Sequence, residues 1–119
     1  MILKRTIGDV GEDAACKFLK KNKYKILERN FRKTYGEIDI IAEKGGTVSF
    51  VEVKTRKTDE YGAPSEFVNF KKQERIKKTA YAYICEKGLD CGFSFDIIEV
   101  YAENCKAKSI NHIINAFGE

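Results

Sequence analysis

Three carboxylates and an ammonium stand in a stretch that otherwise reads as core: GEIDIIAEKGGTVSFVEVKTR, from Gly36 to Arg56. Asp39 and Glu52 lie 12 residues apart on either side of Gly45-Gly46, and Lys54 follows Glu52 by two. Side chains alternate along a strand, so Glu37, Asp39 and Ile41 are expected on one face, and Phe50, Glu52, Lys54 and Arg56 on one face. A two-residue Gly45-Gly46 turn pairs Lys44 with Thr47, Ile41 with Phe50, Asp39 with Glu52 and Glu37 with Lys54. A four-residue loop gives the same pairs. A three-residue loop moves Asp39 to the other face unless a bulge restores it.

Opposed residues have Cβ atoms about 4.5–5.5 Å apart, so two carboxylates placed there repel. A divalent cation relieves that repulsion. Mg²⁺ takes hard oxygen ligands, often one or two carboxylates, and keeps waters that a phosphate can replace. Lys54 points into the same space as a compact cation for a developing phosphoryl charge. The plainer alternative is a Glu37–Lys54 cross-strand ion pair beside carboxylates on a solvated face. Ile41, Val48 and Phe50 are expected on that face as well, so the acids sit beside apolar cover.

The elements that must position these groups follow from periodicity. Ile7 to Asn22 predicts an amphipathic helix with Thr6 as N-cap, Asp9 in the first turn and Glu12 at the margin of the apolar face. Gly8 and Gly11 weaken that helix, and close approach to a neighbouring backbone is one reason to keep them. Strands are predicted over Tyr24 to Phe31, Glu37 to Ala42, Thr47 to Thr55 and Gly92 to Tyr101. Lys57 to Ser65 is expected to be a loop. Glu66 to Lys87 predicts a helix with Ile76, Ala80, Tyr83 and Ile84 buried, stopped by Gly88. Ile110, Ile113, Ile114 and Phe117 have helical spacing, so Lys108 to Phe117 predicts a short docking helix. The order implies one α/β domain over residues 1–119, with a mixed central sheet flanked by helices.

Composition narrows the classes. A chain of 119 residues with 43% hydrophobic content and one Pro suits a single packed core and argues against disorder. No apolar run approaches the roughly 20 residues that span a bilayer. The N-terminal MILKRTIGDVG lacks a signal-peptide core, so a cytosolic protein without a membrane partner is expected. Cys16, Cys85, Cys91 and Cys105 have no metal-site spacing and read as free thiols. The net charge is only +4, but bases concentrate at Lys17 to Lys33 and at Lys71 to Lys78. That distribution fits a phosphate backbone, or equally well solvated Lys-rich faces.

The D-x(12)-E-x-K pattern across two strands, preceded by a helix bearing Glu12, resembles the PD-(D/E)xK nuclease superfamily, with Ile38-Asp39 at its P-D. Archaeal Holliday-junction resolvases look similar. A closer resemblance, to the YraN family, is carried by GE at Gly11-Glu12, RNFR at Arg29 to Arg32, GEIDIIA, FVEVKTR, KKQ at Lys71 to Gln73, FD at Phe95-Asp96 and NAF at Asn115 to Phe117. It implies a restriction-endonuclease-like core and a Mg²⁺- or Mn²⁺-dependent nuclease. Glu12, Asp39 and Glu52 would be the acidic metal residues, the Val53 carbonyl a further ligand, and Lys54 the catalytic lysine. Gln73 falls where related nucleases place a polar helix residue near the site. DNA, ahead of RNA, is the implied partner, and a homodimer follows by analogy with the resolvases. The alternative is a nucleic-acid-binding module that keeps the fold without cleavage.

Other residues keep two readings. Arg29, Arg32, Lys33, Lys71, Lys72, Arg75 and Lys78 either track a nucleic-acid backbone or form exposed basic faces. Arg56 either meets a phosphate or flanks a strand end. Glu37 is either an ion-pair partner or a ligand. Asp96 is expected to be a buried, hydrogen-bonded structural carboxylate, and His112 a packing residue.

Overall fold

The computed structural model describes residues 6–57 and 68–118. Its described elements run α1 (Ile7–Lys21), β1 (Lys25–Lys33), β2 (Gly36–Lys44), β3 (Thr47–Lys57), α2 (Phe70–Lys87), β4 (Gly92–Glu103) and β5 (Lys106–Phe117). The five strands form one mixed sheet in sequence order. β3 and β4 are parallel, and every other neighbouring pair is antiparallel. A parallel pair needs a crossover, and α2 lies on that connection.

One helix covers each face of the sheet. Ala15, Cys16 and Leu19 of α1 bury against Ile40, Ala42, Val51, Ile98 and Val100. Ile76, Ala80 and Tyr83 of α2 bury against Ile38, Ile41, Val48, Phe50 and Ile97. Tyr83 meets Phe31 and Phe50 edge-on at centroid distances of 5.1 and 6.2 Å. β3 and β4 are therefore apolar on both sides, which explains why they lack a clean alternation.

The helix ends follow local chemistry. Thr6 and Asp9 form a reciprocal capping box, with Asp9 N–H donating to Thr6 Oγ1 at 3.1 Å and Thr6 N–H to Asp9 Oδ2 at 3.2 Å. Asn69 caps α2 by accepting from Lys72 N–H at 2.9 Å, and Gly88 ends it at φ +62°. The predicted start at Glu66 falls outside the described residues. So does the expected loop beyond Lys57, which itself closes β3. Gly11 faces β3 so closely that a Cβ would lie 1.9 Å from Thr55 Oγ1. The need for glycine comes from a side chain, not from the neighbouring backbone expected.

The C-terminal segment is strand, not helix. Glu103 pairs with Lys106 across Asn104-Cys105, whose φ values of +50° and +60° make a two-residue turn of the hairpin-favouring hand. β5 touches both cores: Ile110 packs on the α1 side, and Ile113 and Phe117 on the α2 side. An apolar strand used on both faces mimics i, i+3, i+4 spacing. The β-branched isoleucines of SINHIIN favour extended backbone, and a partner strand was available.

The four cysteines are free thiols, with Cys16 buried and Cys85 and Cys105 exposed. Burial pushes the Cys16 thiol up, the opposite of what a reactive thiolate needs. No helix among the described residues is long and apolar enough to cross a membrane.

Candidate functional site

The β2–β3 hairpin turns through Gly45 (φ +58°) and Gly46 (φ +81°) and pairs Lys44 with Thr47 and Ile41 with Phe50, the expected register. The paired residues continue to Ile40 and Val51. Beyond them the Asp39 carboxylate takes over, with Oδ2 accepting the Val53 N–H at 2.8 Å. Asp39 therefore reaches sideways to β3, and the expected Glu37–Lys54 pair is replaced. Glu37 instead holds Arg32, its partner on β1, at 3.2 Å.

The expected common face of Glu37, Asp39 and Ile41 also breaks here. Ile38 and Ile41, three residues apart, share the α2-side core, while Ile40 joins the α1-side core. The facing strand β1 is irregular at the same level. Asn30, between the paired residues Arg29 and Phe31, has φ +52° and interrupts regular pleating opposite Asp39. Asn30 then donates from Nδ2 to Glu12 Oε1 at 2.8 Å. The same oxygen takes Arg29 Nη2 at 3.1 Å, and Arg29 also binds Asp13 at 2.8 Å. Asn30, opposite Asp39 on β1, thus tethers the helix-borne Glu12.

Glu52 lies on the α2 side with Phe50, its side chain 11% exposed, and its Oε1 accepts from Lys72 Nζ at 2.9 Å. Lys54 follows on the same face, half-buried, in register with Glu99 of β4. Gly36, Glu37, Asp39, Glu52, Asn69, Lys71, Lys72, Arg75 and Ile76 line a cleft of about 390 Å³ between the sheet and the start of α2.

Electrostatics single out Asp39. Burial first, then Glu52, and to a smaller extent Glu12 and Glu37, together push its pKa up to about 7; only the Val53 N–H opposes them. A carboxylate so placed lacks positive charge. Carboxylate oxygens are hard donors of the kind Mg²⁺ or Mn²⁺ takes, and Glu52 draws the Lys72 ammonium at 2.9 Å. No three His, Cys, Asp or Glu side chains among the described residues converge as a ready-made metal cluster. Glu12 approaches from the α1 side and does not line the cleft.

Residues 11–100 match the model of the uncharacterised protein family UPF0102. The chain is 45% identical over 116 residues to a UPF0102 protein of Alkaliphilus metalliredigens, covering 97% of this chain and 100% of that one. It is 47% identical over 117 residues to one of Caldicellulosiruptor saccharolyticus, covering 96% and 98%. A third, from Caldanaerobacter subterraneus, is 48% identical over 117 residues, covering 96% of each chain. The chain belongs to the UPF0102 family. This is the YraN-like family that the GEIDIIA and FVEVKTR motifs resemble, and these UPF0102 relatives are named by family alone.

The remaining residues singled out in the sequence of this UPF0102 protein divide by placement. Lys71, Lys72 and Arg75 line the cleft. Arg32 stands exposed beside Glu37. Arg29 is turned to α1, where it orients Glu12 and Asp13. Gln73 is turned to its own helix start, donating to the Val68 carbonyl at 2.7 Å. Arg56 is not a surface phosphate contact: it is 9% exposed, 2.9 Å from Glu99, whose other oxygen accepts from Asn111 at 3.0 Å. Asp96 is fully buried, accepting from Ser94 Oγ at 2.8 Å and Asn115 N–H at 3.1 Å, with His112 Nε2 at 2.8 Å. It is the structural carboxylate expected, and His112 is its partner, edge-on to Phe18.

Sequence reasoning overlooked Asn30, Asn69 and Asp13. Only Asn30 left a trace, as an asparagine between two arginines in a strand, where it is disfavoured unless positive φ is needed.

Proposed function

We propose that this protein is a Mg²⁺- or Mn²⁺-dependent nuclease acting on DNA, built on a restriction-endonuclease-like core. The observation that carries the reading is the half-buried Asp39 beside Glu52 at the fork of β2 and β3, with Lys54 next on the same strand. The order of helix, three-stranded meander, helix and parallel strand resembles what PD-(D/E)xK nucleases use to present the same residue types.

Asp39 and Glu52 would hold the metal, with the Val53 carbonyl and Glu12 as further oxygen donors. A bound Mg²⁺ or Mn²⁺ supplies a lowered pKa for an attacking water and a screen for the phosphate charge. The chain's own residues do the rest. Lys54 orients the water or stabilises charge that develops on the phosphoryl oxygens. Lys72, paired with Glu52 at 2.9 Å, would be free to meet a phosphate at the mouth of the cleft if a metal took up that carboxylate. Lys71 and Arg75 hold the backbone through contacts that carry no sequence information.

The test is a cleavage screen over branched, nicked, linear and single-stranded DNA, and over RNA, with Mg²⁺ and with Mn²⁺. The expected result is metal-dependent cutting of DNA that falls on the order of 10²-fold or more in Lys54→Ala and Asp39→Asn. A second reading, a nucleic-acid-binding module without cleavage, draws on the same ion pairs. Glu12 and Glu52 are already satisfied by Arg29, Asn30 and Lys72. Undiminished DNA binding with no cutting in either metal would establish it.

A further inference from the structure

The acid cleft is not a closed end. Gly36, Glu37 and Arg75 also line a second, larger cavity of about 690 Å³ between the β1–β2 turn and α2. Its far end is formed by Arg32, Lys33, Tyr35 and Lys78. Gly36 builds the junction. A Cβ there would lie 2.5 Å from Thr79 Oγ1 and 3.0 Å from the Arg75 carbonyl oxygen, so the turn rests directly on the helix. Lys78 Nζ stands 4.5 Å from the Tyr35 ring centroid. Arg32 pairs with half-buried Glu37, and Lys33 pairs with exposed Glu86 and stands 5.3 Å from the Phe31 ring centroid. Such surface pairs contribute little, and a phosphate can replace them with charge-assisted bonds.

We propose that this second cavity continues the nucleic-acid path, taking one DNA strand out of the acid cleft over Gly36. Its phosphates follow Arg75, Lys78 and Lys33, and a base stacks on Tyr35. A basic groove with an aromatic face beside a cation is the combination that binds single strands, because every base has a π-face. The proposal rests on the nucleic-acid reading above but not on cleavage.

The experiment uses the full chain in EDTA and a fluorescent oligothymidylate, with binding followed by anisotropy across a salt series. Affinity falls with salt in proportion to the phosphates neutralised, about 0.7 in log–log slope per single-strand contact. The Lys33→Ala/Lys78→Ala double variant is expected to lose about 1.4 of slope. A Lys17→Ala/Lys21→Ala control on the exposed side of α1 should keep the full slope. Tyr35→Ala should weaken binding roughly 5- to 150-fold, with Tyr35→Phe close to wild type. Unchanged melting temperatures confirm that each variant folds. An unchanged slope in the Lys33/Lys78 variant, wild-type affinity in Tyr35→Ala, or no oligothymidylate binding at low salt overturns the channel. Cleavage in Mn²⁺ is scored separately. A protein that never cuts but shows the slope loss keeps the channel, and one that cuts with unchanged slopes loses it.

Discussion

Asp39 is the residue on which this fold carries a cost. Its carboxylate is pushed up to about 7 by burial and by Glu52, against an unfolded value near 3.9. The folded state therefore binds the extra proton between about pH 4 and 7, and stability falls as pH rises through that window. The whole penalty is at most about 4 kcal/mol. Asp39→Asn keeps an acceptor for the Val53 N–H and removes the charge. We expect urea midpoints of that variant to exceed wild type at pH 8 in EDTA and to converge with it near pH 4. A variant less stable than wild type at pH 8 would mean that the carboxylate serves ion pairing and not a cation. Arg56 sits at the opposite extreme. With Glu99 1% exposed, Arg56→Ala leaves a buried carboxylate uncompensated and should cost about 3–5 kcal/mol, read from chemical denaturation.

At the scale of elements, the contact between α1 and β3 sets where Glu12 stands. Gly11 has no room for a methyl against Thr55, and Glu12 is its neighbour in sequence. Gly11→Ala should destabilise by about 1–3 kcal/mol, and Thr55→Ala added to it should recover part of that loss in a double-mutant cycle. Additive losses would show that the helix shifts bodily instead. The β2–β3 hairpin was legible from its glycines, because a turn that needs positive φ twice leaves a clear mark in sequence. The β5 strand was not. Its isoleucines serve two faces, so their spacing carries no period of two, and only pairing with β4 decides for extended backbone. The fork at Asp39 was hidden for a similar reason. Register arithmetic assumes regular pairing along the whole hairpin, and the β2–β3 pairs stop at Ile40 and Val51.

For the molecule as a whole, a ligand that binds only the folded state raises stability by mass action. With Mn²⁺ at about 100 times its dissociation constant the gain should be about 2.7 kcal/mol, seen as a higher melting temperature in wild type. Asp39→Asn should show little of that gain. An equal Mn²⁺ response in the two proteins would place the ion elsewhere. The charge distribution adds a second whole-molecule effect. Cations of β1 and α2 line the two adjoining cavities, with Glu37 and Glu74 in the larger and Glu37, Asp39 and Glu52 in the cleft. Long-range attraction of a polyanion should fall as salt screens it.

The sequence by itself determined the Thr6 cap of α1, the Gly88 stop of α2, the hairpin turn and the apolar stripe of each helix. Each is a local matter, governed by backbone φ, by capping hydrogen bonds or by the spacing of apolar residues. Tertiary structure decided the rest. It turned Asp39 sideways onto the Val53 amide, sent Arg56 inward to Glu99, tied Glu12 to Asn30 and Arg29, and made the last segment a strand. Each of those outcomes depends on a partner from another element, and a side chain's partner across the fold leaves no period or motif in its own stretch of sequence.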